Sequence, residues 1–202
     1  MDDCNRCNKL PRKYDNPIDV MFQDTSYFMG PSFLSNKFTP NMITTLSFIF
    51  GVIVIYCMEI NKFKIAAVFH LLSYLFDCFD GNFARRYNME TEFGDWYDHL
   101  KDTAYSIAII YMLYRKMPFK ANTRLWIFLV ILGLFSMSMI FFGCTELYIK
   151  NNRKYIHSST CLGVMERICL VNDERFFRII RYFSSGTLVV FIFGVIWSIS
   201  YY

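Results

Sequence analysis

Long apolar segments alternate with short polar connections over most of the 202-residue chain. Each segment approaches the ~20 residues that a helix needs to cross a bilayer, and an isolated strand cannot satisfy its backbone in lipid. The pattern therefore predicts an all-α fold, a polytopic integral membrane helical bundle. Five spans are clear, and they cover about 42–58, 63–80, 100–114 with an extension back toward Asp95, 125–147 and 183–200.

The residues before the first span follow a different pattern. Apolar side chains recur there at helical spacing until Gly30-Pro31, which is typical of an amphipathic helix lying on the membrane interface. These side chains belong to Ile18, Met21, Phe22, Phe28 and Met29. The alternative is a loosely ordered polar arm.

The first span has a well-marked start. Thr39 can cap it, and Pro40 suits the first helical position because that position needs no amide donor. We therefore divide the chain into a cytosolic arm with the interfacial helix, 1–38, and a transmembrane domain that carries the candidate chemistry, 39–202.

The stretch 148–182 is ambiguous. It could hold a sixth span, but Glu166 and Arg167 interrupt its apolar part. We interpret its apolar positions as one side of a surface or groove-lining helix. They are Ile168, Val171, Phe176, Ile179, Ile180 and Phe183.

Composition agrees with a bilayer environment, since 54% of residues are hydrophobic and only 19% are charged. The net charge of +4 is mild and its basic residues are scattered, so nucleic acid is not an expected partner. If the N-terminus is cytosolic, 15 Lys and Arg residues fall on that side and 6 on the other. This asymmetry favours a cytosolic face for the acidic end of the spans, in an endoplasmic reticulum-type membrane if the host is eukaryotic.

The seven cysteines lie mostly inside or beside apolar segments, where a thiol acts as a small hydrophobic group. Cys4 and Cys7 form one C-x-x-C pair. Without a second pair, this spacing is weak evidence for zinc or redox chemistry, and we expect a reduced pair without function.

Aspartates are concentrated where two predicted spans meet a short connection. A carboxylate in the hydrocarbon region costs roughly 2.5–3.5 kcal/mol on insertion scales, so several at one depth require compensation. Arg85, Arg86 and Lys101 are poorly placed to neutralise all of these acids. Bound cations are therefore expected.

Helical spacing predicts which acids converge. Asp77 and Asp80 are three positions apart and Asp98 and Asp102 are four apart, so each pair lies on one helix face. The short connection predicts that the two helices are antiparallel neighbours with their acidic ends together. Four carboxylates then share one cavity, which suits magnesium, an ion that keeps waters and accepts phosphate oxygens.

Small residues beside the acids leave room for a ligand. Gly81 and Ala84 follow the first acidic pair on its helix face, and Gly94 lies one turn before the second pair. A phosphate-bearing ligand could approach the backbone there. Arg85 is a fixed cation suited to pyrophosphate or to one of the acids.

Together these residues form the pattern D-x2-D-G-x2-A-R-x8-G-x3-D-x3-D, which runs from Asp77 to Asp102. The pattern resembles the CDP-alcohol phosphotransferase (CDP-alcohol phosphatidyltransferase) family, membrane enzymes of phospholipid synthesis. It covers 26 residues directly, and the neighbouring spans extend the likeness over roughly 39–147.

The resemblance implies a transferase that moves a substituted phosphate from a CDP-linked donor to an alcohol and releases CMP, with two bound ions of Mg²⁺ or Mn²⁺. By motif position, Asp77, Asp80 and Asp98 would be metal ligands and Asp102 the general base. The likeness also implies a homodimer. It places further residues against the nucleotide, namely Gly81, Ala84, Arg85, Asn41 and Thr44.

The donor and the acceptor receive conflicting signals. The stretches NPID at 16–19, TPNMIT at 39–44 and DHLKD at 98–102 look like choline and ethanolamine phosphotransferases, which would use CDP-choline or CDP-ethanolamine with diacylglycerol. The short chain is closer in size to inositol, serine or glycerophosphate phosphatidyltransferases. We favour CDP-diacylglycerol as the donor and keep the other as the alternative.

Three other functions are compatible with aspartates in a membrane. An intramembrane prenyltransferase would also use acids and magnesium, but it would release pyrophosphate instead of CMP. A divalent-cation transporter would need carboxylates at mid-depth with access from both faces. An inactive structural relative would keep the fold without turnover.

Three further polar residues have an ordinary structural interpretation. His70 lies two turns before Asp77, and a lone histidine there is most simply a packed hydrogen-bonding group. His99 is about 100° round the helix from Asp98, which favours a structural or interfacial role. Glu146 ends the fourth span and could line the pocket, but a solvated helix end is the simpler expectation.

Overall fold

The computed structural model describes residues 8–152, 168–169 and 174–202. All regular structure in these residues is helical, which confirms the predicted all-α class. The helices are α1 (Pro17–Ser35), α2 (Pro40–Glu59), α3 (Phe63–Arg86), α4 (Glu92–Lys116), α5 (Ala121–Asn152), α6 (Glu174–Ile180), a 3-10 turn (Arg181–Phe183) and α7 (Ser185–Ile199).

Within the described residues, three stretches of helix are long and apolar enough to cross a membrane, judged by length and composition. They are α2, most of α5, and the run from Arg175 to Ile199 that joins α6 to α7. Helices α3 and α4 have 24 and 25 residues, which is also sufficient length, but they carry the aspartates. The five predicted spans therefore correspond to α2, α3, α4, α5 and α7.

Three helices begin at side-chain caps. The Asn16 side chain accepts a hydrogen bond from the Ile18 amide at 2.8 Å, and Thr91 accepts one from Gly94 at 3.0 Å. The predicted start of the first span is confirmed, since Thr39 caps α2 with Pro40 as its first residue. Each cap satisfies an amide that the helix itself leaves unpaired.

The sequence predicts that helix α1 ends at Gly30-Pro31, but the helix continues to Ser35. Proline at position 31 leaves the Tyr27 carbonyl without its helical amide donor. Arg86 of α3 donates to this carbonyl at 2.7 Å, so the interruption is compensated. Gly30 lies against the same part of α3, because a Cβ there would be 3.0 Å from the Arg86 guanidinium.

The two sides of α1 reverse the usual pattern of a soluble protein. Its apolar residues Met21 and Phe28 point outward, with 59% and 74% of their surface exposed. Its buried residues are the polar Asp19 and Ser26 together with Gly30, and the helix packs on α3 and α7. An apolar outer side suits a helix at the membrane interface.

The main hydrophobic core lies among α2, α3, α4, α5 and α7. Gly51 of α2 permits close approach of α4, since a Cβ there would lie 2.9 Å from the Tyr105 ring. A second cluster joins the residues before α1 to α5 and α6, and a third lies beside the acidic end of α3. The third cluster consists of Ile43, Phe79 and Phe83.

Within the described part of 148–182, helix covers the end of α5 and the seven residues of α6, which passes into a 3-10 turn. Of the predicted apolar positions, Ile180 is buried and Phe176 is half-buried, whereas Ile168, Ile179 and Phe183 are exposed; Phe177, which the pattern did not include, is also buried. The predicted apolar side is therefore divided between the protein interior and the outer surface. Val171, Glu166 and Arg167 lie outside the described residues.

Two cysteines are paired instead of acting as free hydrophobic groups. Cys144 of α5 and Cys169 form a disulfide that joins positions 25 residues apart. Cys57 and Cys78 are free thiols. The remaining three, which include the C-x-x-C pair, lie outside the described residues: Cys4, Cys7 and Cys161.

Candidate active site

The four aspartates of the motif come together at one end of the helix bundle. Carboxylate oxygens of Asp77, Asp80 and Asp98 lie within 4.8 Å of one another. A second set, with the same 4.8 Å limit, consists of Asp98, His99 and Asp102. Asp98 therefore belongs to both sets and joins the acids of α3 to those of α4.

The helices reach this arrangement in a way that spacing alone did not predict. Helix α2 packs closely against both α3 and α4, whereas α3 and α4 themselves make little close backbone contact. Side-chain contacts among the aspartates and Lys101, and not adjacent backbones, bring the two acidic ends together. A pair of reciprocal bonds fixes α2 to α3 at this level: Ser47 Oγ donates to the Ser73 carbonyl at 2.8 Å, and Ser73 Oγ donates to the Ser47 carbonyl at 3.0 Å.

Lys101 lies in the middle of the carboxylates. Its ammonium contacts Asp77 directly and is 3.0 Å from one oxygen of Asp98 and 3.0 Å from one oxygen of Asp102. Only 5% of the residue is exposed. This one lysine therefore contacts three of the four acids, and the expectation that the nearby cations do not neutralise every acid still applies to Asp80.

Asp80 is the acid that Lys101 does not contact closely. It is 5% exposed, and its Oδ2 has no hydrogen-bond partner among the described residues. A buried carboxylate oxygen without a donor is costly, so it indicates a ligand. Carboxylate oxygens are the donors that Mg²⁺ and Mn²⁺ prefer, and the acidic residues present therefore fit such an ion.

Residues predicted to contact a nucleotide line the same end of the bundle. Arg85 donates to the Asn82 side chain at 2.7 Å, and Asn82 donates to Ser26 of α1 at 3.0 Å. The guanidinium of Arg85 lies over Gly81, where a Cβ would be only 3.2 Å away. Ala84 is half-buried on the same helix.

Helix α2 contributes its two predicted residues on the side of the acids. Asn41 faces Gly94, and a Cβ on that glycine would lie 3.0 Å from the Asn41 side-chain oxygen. Thr44 is buried, donates to the Pro40 carbonyl at 3.1 Å and lies within hydrogen-bonding reach of Asp80, contacts that also fit a purely structural role in helix capping and interhelical hydrogen bonding. The first span is thus adjacent to the acidic cluster.

Sequence reasoning missed two residues of the cluster. His99 was set aside because of its angle from Asp98, but its ring reaches the second set of donors and pairs with Asp95 at 3.4 Å. Lys101 was considered only as one of three nearby cations, without a place inside the cluster. Both residues are sequence neighbours of Asp98 or Asp102, and this position could have indicated them, because their side chains are long enough to reach an adjacent helix face.

The two remaining polar candidates have structural partners. His70 is buried, with Nδ1 2.7 Å from the Tyr105 hydroxyl and Nε2 3.2 Å from the Val189 carbonyl, which confirms the packed interpretation. Glu146 is only 1% exposed and is 3.4 Å from the Lys9 ammonium. The expected solvated helix end was wrong, because the segment before α1 covers it.

Comparison with known proteins agrees with the motif. The sequence profile of the CDP-alcohol phosphatidyltransferase family matches residues 37–196, well over half of the chain. No solved structure shows a significant match.

Curated relatives match over shorter stretches. CDP-diacylglycerol–inositol 3-phosphatidyltransferase from Rattus norvegicus is 38% identical over 73 residues, which is 36% of this chain and 34% of the relative; the Mus musculus protein gives the same values. CDP-diacylglycerol–glycerol-3-phosphate 3-phosphatidyltransferase from Rickettsia felis is 32% identical over 84 residues, 40% of this chain and 46% of the relative. The matches thus span between a third and a half of these relatives' lengths.

Proposed function

Because the chain belongs to the CDP-alcohol phosphatidyltransferase family, we propose that it transfers a substituted phosphate group from a CDP-linked donor to an alcohol and releases CMP. The observation that carries the proposal is the convergence of Asp77, Asp80, Asp98 and Asp102 at one end of the bundle. The placement of Arg85 and Gly81 beside these acids supports a binding site for a nucleotide diphosphate.

We propose CDP-diacylglycerol as the donor. The relatives from rat and from Rickettsia felis both carry that donor in their names, with inositol and glycerol 3-phosphate as acceptors. Transfer from CDP-choline or CDP-ethanolamine to diacylglycerol is the alternative, which the stretches NPID and DHLKD favour.

Asp77, Asp80 and Asp98 would hold divalent cations, and the resemblance implies two of them. When bound, Mg²⁺ or Mn²⁺ supplies charge stabilisation to the pyrophosphate and to the leaving CMP. Arg85 provides a fixed positive charge for the same phosphates.

Asp102 is proposed as the general base. Its carboxylate takes the proton of the acceptor hydroxyl while that oxygen bonds to the phosphorus farther from cytidine. The bond from this phosphorus to the bridging oxygen breaks, and CMP leaves with the electron pair. The side chain of Asp102 is 45% exposed, so an acceptor can reach it.

The decisive experiment measures CMP release by purified protein in bilayers. CDP-diacylglycerol is supplied with inositol, serine or glycerol 3-phosphate, and CDP-choline or CDP-ethanolamine is supplied with diacylglycerol, each with Mg²⁺ or Mn²⁺. We expect CMP release with one of the two donor classes, and no CMP release when EDTA removes the metal ions. Release of pyrophosphate would indicate prenyl transfer, and metal flux in vesicles without any CDP substrate would indicate a transporter.

We also propose that the active site faces the cytosol and that the chain forms a homodimer in an endoplasmic reticulum-type membrane in a eukaryotic host. The distribution of Lys and Arg supports this orientation. The Cys144–Cys169 disulfide favours the opposite one, because disulfides persist mainly in oxidising compartments. Protease access to an N-terminal tag in sealed vesicles separates the two orientations, and chemical cross-linking tests the dimer.

A further inference from the structure

We propose that Lys101 is the resident counter-ion of the carboxylate cluster. It holds Asp77, Asp98 and Asp102 together in the metal-free protein, and divalent cations must compete with its ammonium for these oxygens. The inference rests on the proposed metal site and concerns a residue outside the family motif. Lys101 is accordingly a positioning residue, with no direct part in the transfer.

Several acceptors lie around the Lys101 ammonium. It is within ion-pair distance of three carboxylates, those of Asp77, Asp98 and Asp102, and it donates to Ser47 Oγ at 3.4 Å. The side chain is almost completely buried. A buried charge is retained only when it is paired in this way, so the lysine and the acids depend on each other.

The charge balance explains why one lysine does not replace a metal ion. Three carboxylates contact a single ammonium and a fourth lies beside them, so one positive charge does not compensate the whole cluster. Asp80 lies outside the close contacts of the ammonium and keeps an oxygen without a donor. The metal-free site is therefore assembled but still attractive to a cation.

Removal of the lysine charge has two consequences of opposite direction. The metal-free protein loses stability, because Asp77, Asp98 and Asp102 then repel one another without a counter-ion. Affinity for a divalent cation rises, because no competing charge has to leave. If Lys101 had only a packing role, removal of its charge would lower both the stability and the cation affinity, or would change neither.

The experiment compares full-length wild type and Lys101→Met, which keeps side-chain length and loses the charge. Mn²⁺ binding is measured from the electron paramagnetic resonance signal of free Mn²⁺, and thermal unfolding is measured in EDTA and in saturating Mn²⁺. We expect a lower unfolding temperature in EDTA, a dissociation constant for Mn²⁺ smaller by about tenfold or more, and a larger increase in unfolding temperature with Mn²⁺.

Two variants serve as controls. Lys101→Arg keeps the charge, so its Mn²⁺ affinity should stay closer to wild type than that of Lys101→Met. Lys116→Met removes a lysine at the opposite end of the same helix, where the ammonium binds the Glu59 carbonyl at 2.8 Å and Asn61 at 3.2 Å. Its Mn²⁺ affinity should equal that of wild type.

An unchanged or weaker Mn²⁺ affinity in Lys101→Met overturns the inference, and so does failure of this variant to fold even in saturating Mn²⁺. Either result leaves the proposed transfer intact if wild type still binds Mn²⁺ and releases CMP. Absence of Mn²⁺ binding in wild type overturns the metal site and this inference together.

Discussion

Two groups of buried acids lie close together in this protein, and they are satisfied in different ways. Asp19 of α1, 6% exposed, accepts hydrogen bonds from the Tyr74 hydroxyl at 2.6 Å and from Ser184 Oγ at 2.7 Å. Asp80 of α3, 5% exposed, keeps an oxygen without a partner among the described residues and is surrounded by other carboxylates.

The difference separates a structural acid from a ligand-binding acid. Neutral hydroxyl and amide donors satisfy a carboxylate without leaving room for anything else, and they fix the elements that carry them. Carboxylates that face one another repel when ionised, and a bound cation or a shared proton removes that repulsion. Burial alone therefore does not identify a functional aspartate, whereas the nature of its neighbours does.

The structural group explains the NPID stretch at the start of α1. Asn16 caps the helix and also donates to the Arg181 carbonyl at 2.8 Å and to Thr187 at 2.9 Å. Asp19 then meets Ser184, the residue before α7. One short segment thus docks α1 onto α7, and through Tyr74 onto α3, one turn before Asp77.

The largest expected effect is the difference in Mn²⁺ binding and CMP release between the variants Asp80→Asn and Asp19→Asn. Asp80→Asn should lose Mn²⁺ binding and lower CMP release by about 10⁴-fold, because a metal ion contributes several kcal/mol to charge stabilisation. Asp19→Asn should keep Mn²⁺ affinity and release close to wild type. Similar losses in both variants would show that the two groups are not distinct.

In EDTA, the free energy of unfolding should be affected in the opposite order, with the larger loss in Asp19→Asn and the smaller in Asp80→Asn. Asp80→Asn removes like-charge repulsion and should not be destabilising, as is common for residues kept for function. Asp19→Asn places an amide donor against two hydroxyl donors and should cost about 1–3 kcal/mol. The free energy of unfolding in denaturant measures both.

The next effect separates roles within the acidic cluster. Asp102→Asn should lower CMP release by about 10³-fold, since general-base catalysis contributes roughly 10²–10⁴-fold. Its Mn²⁺ affinity should change far less than in Asp80→Asn. Release at the wild-type rate would remove Asp102 as the base and leave the metal ligands unaffected.

Much of this arrangement could be predicted from the sequence. Apolar runs of bilayer length predicted α2, α3, α4, α5 and α7, because hydrophobicity and length decide membrane helices almost without tertiary context. The spacing of Asp77, Asp80, Asp98 and Asp102 predicted that the acids converge, since helical periodicity fixes their angles.

The predictions that were wrong concern features that depend on contacts between residues distant in the sequence. Continuation of α1 through Pro31 requires the guanidinium of Arg86, 55 positions later in the chain. Burial of Glu146 requires Lys9 from the opposite end of the sequence. The central place of Lys101 depends on α2 lying beside both acidic helices, which periodicity within α4 does not specify.

The docking of α1 can be tested without changing a charge. A Cβ on Gly186 would lie 2.1 Å from the Asp19 carboxylate and 3.2 Å from Ile18, so Gly186→Ala must displace the Asp19 carboxylate from its hydrogen bonds at the start of α1. We expect a loss of about 1–3 kcal/mol in the free energy of unfolding. Gly194→Ala, in the same helix with open space around it, should be neutral or slightly stabilising.

The smallest expected effect is a dependence of stability on pH. Burial raises the pKa of Asp19 to about 6, although hydrogen bonds from Tyr74 and Ser184 oppose the shift. A carboxyl whose pKa is raised in the folded state contributes its stability at low pH and loses it as pH rises through about 6, so the free energy of unfolding should fall by about 1 kcal/mol between pH 5 and pH 8.

Asp19→Asn isolates this contribution. Burial raises the pKa of Asp15 as well, and Asp15 faces Gln23, Arg85 and Arg181, so the variant should keep the direction of the pH dependence with a smaller slope. If Asp19→Asn and wild type lose stability equally between pH 5 and pH 8, Asp19 does not titrate in this range. It is then already ionised at pH 5, and the hydroxyl donors around it are sufficient to stabilise the buried carboxylate.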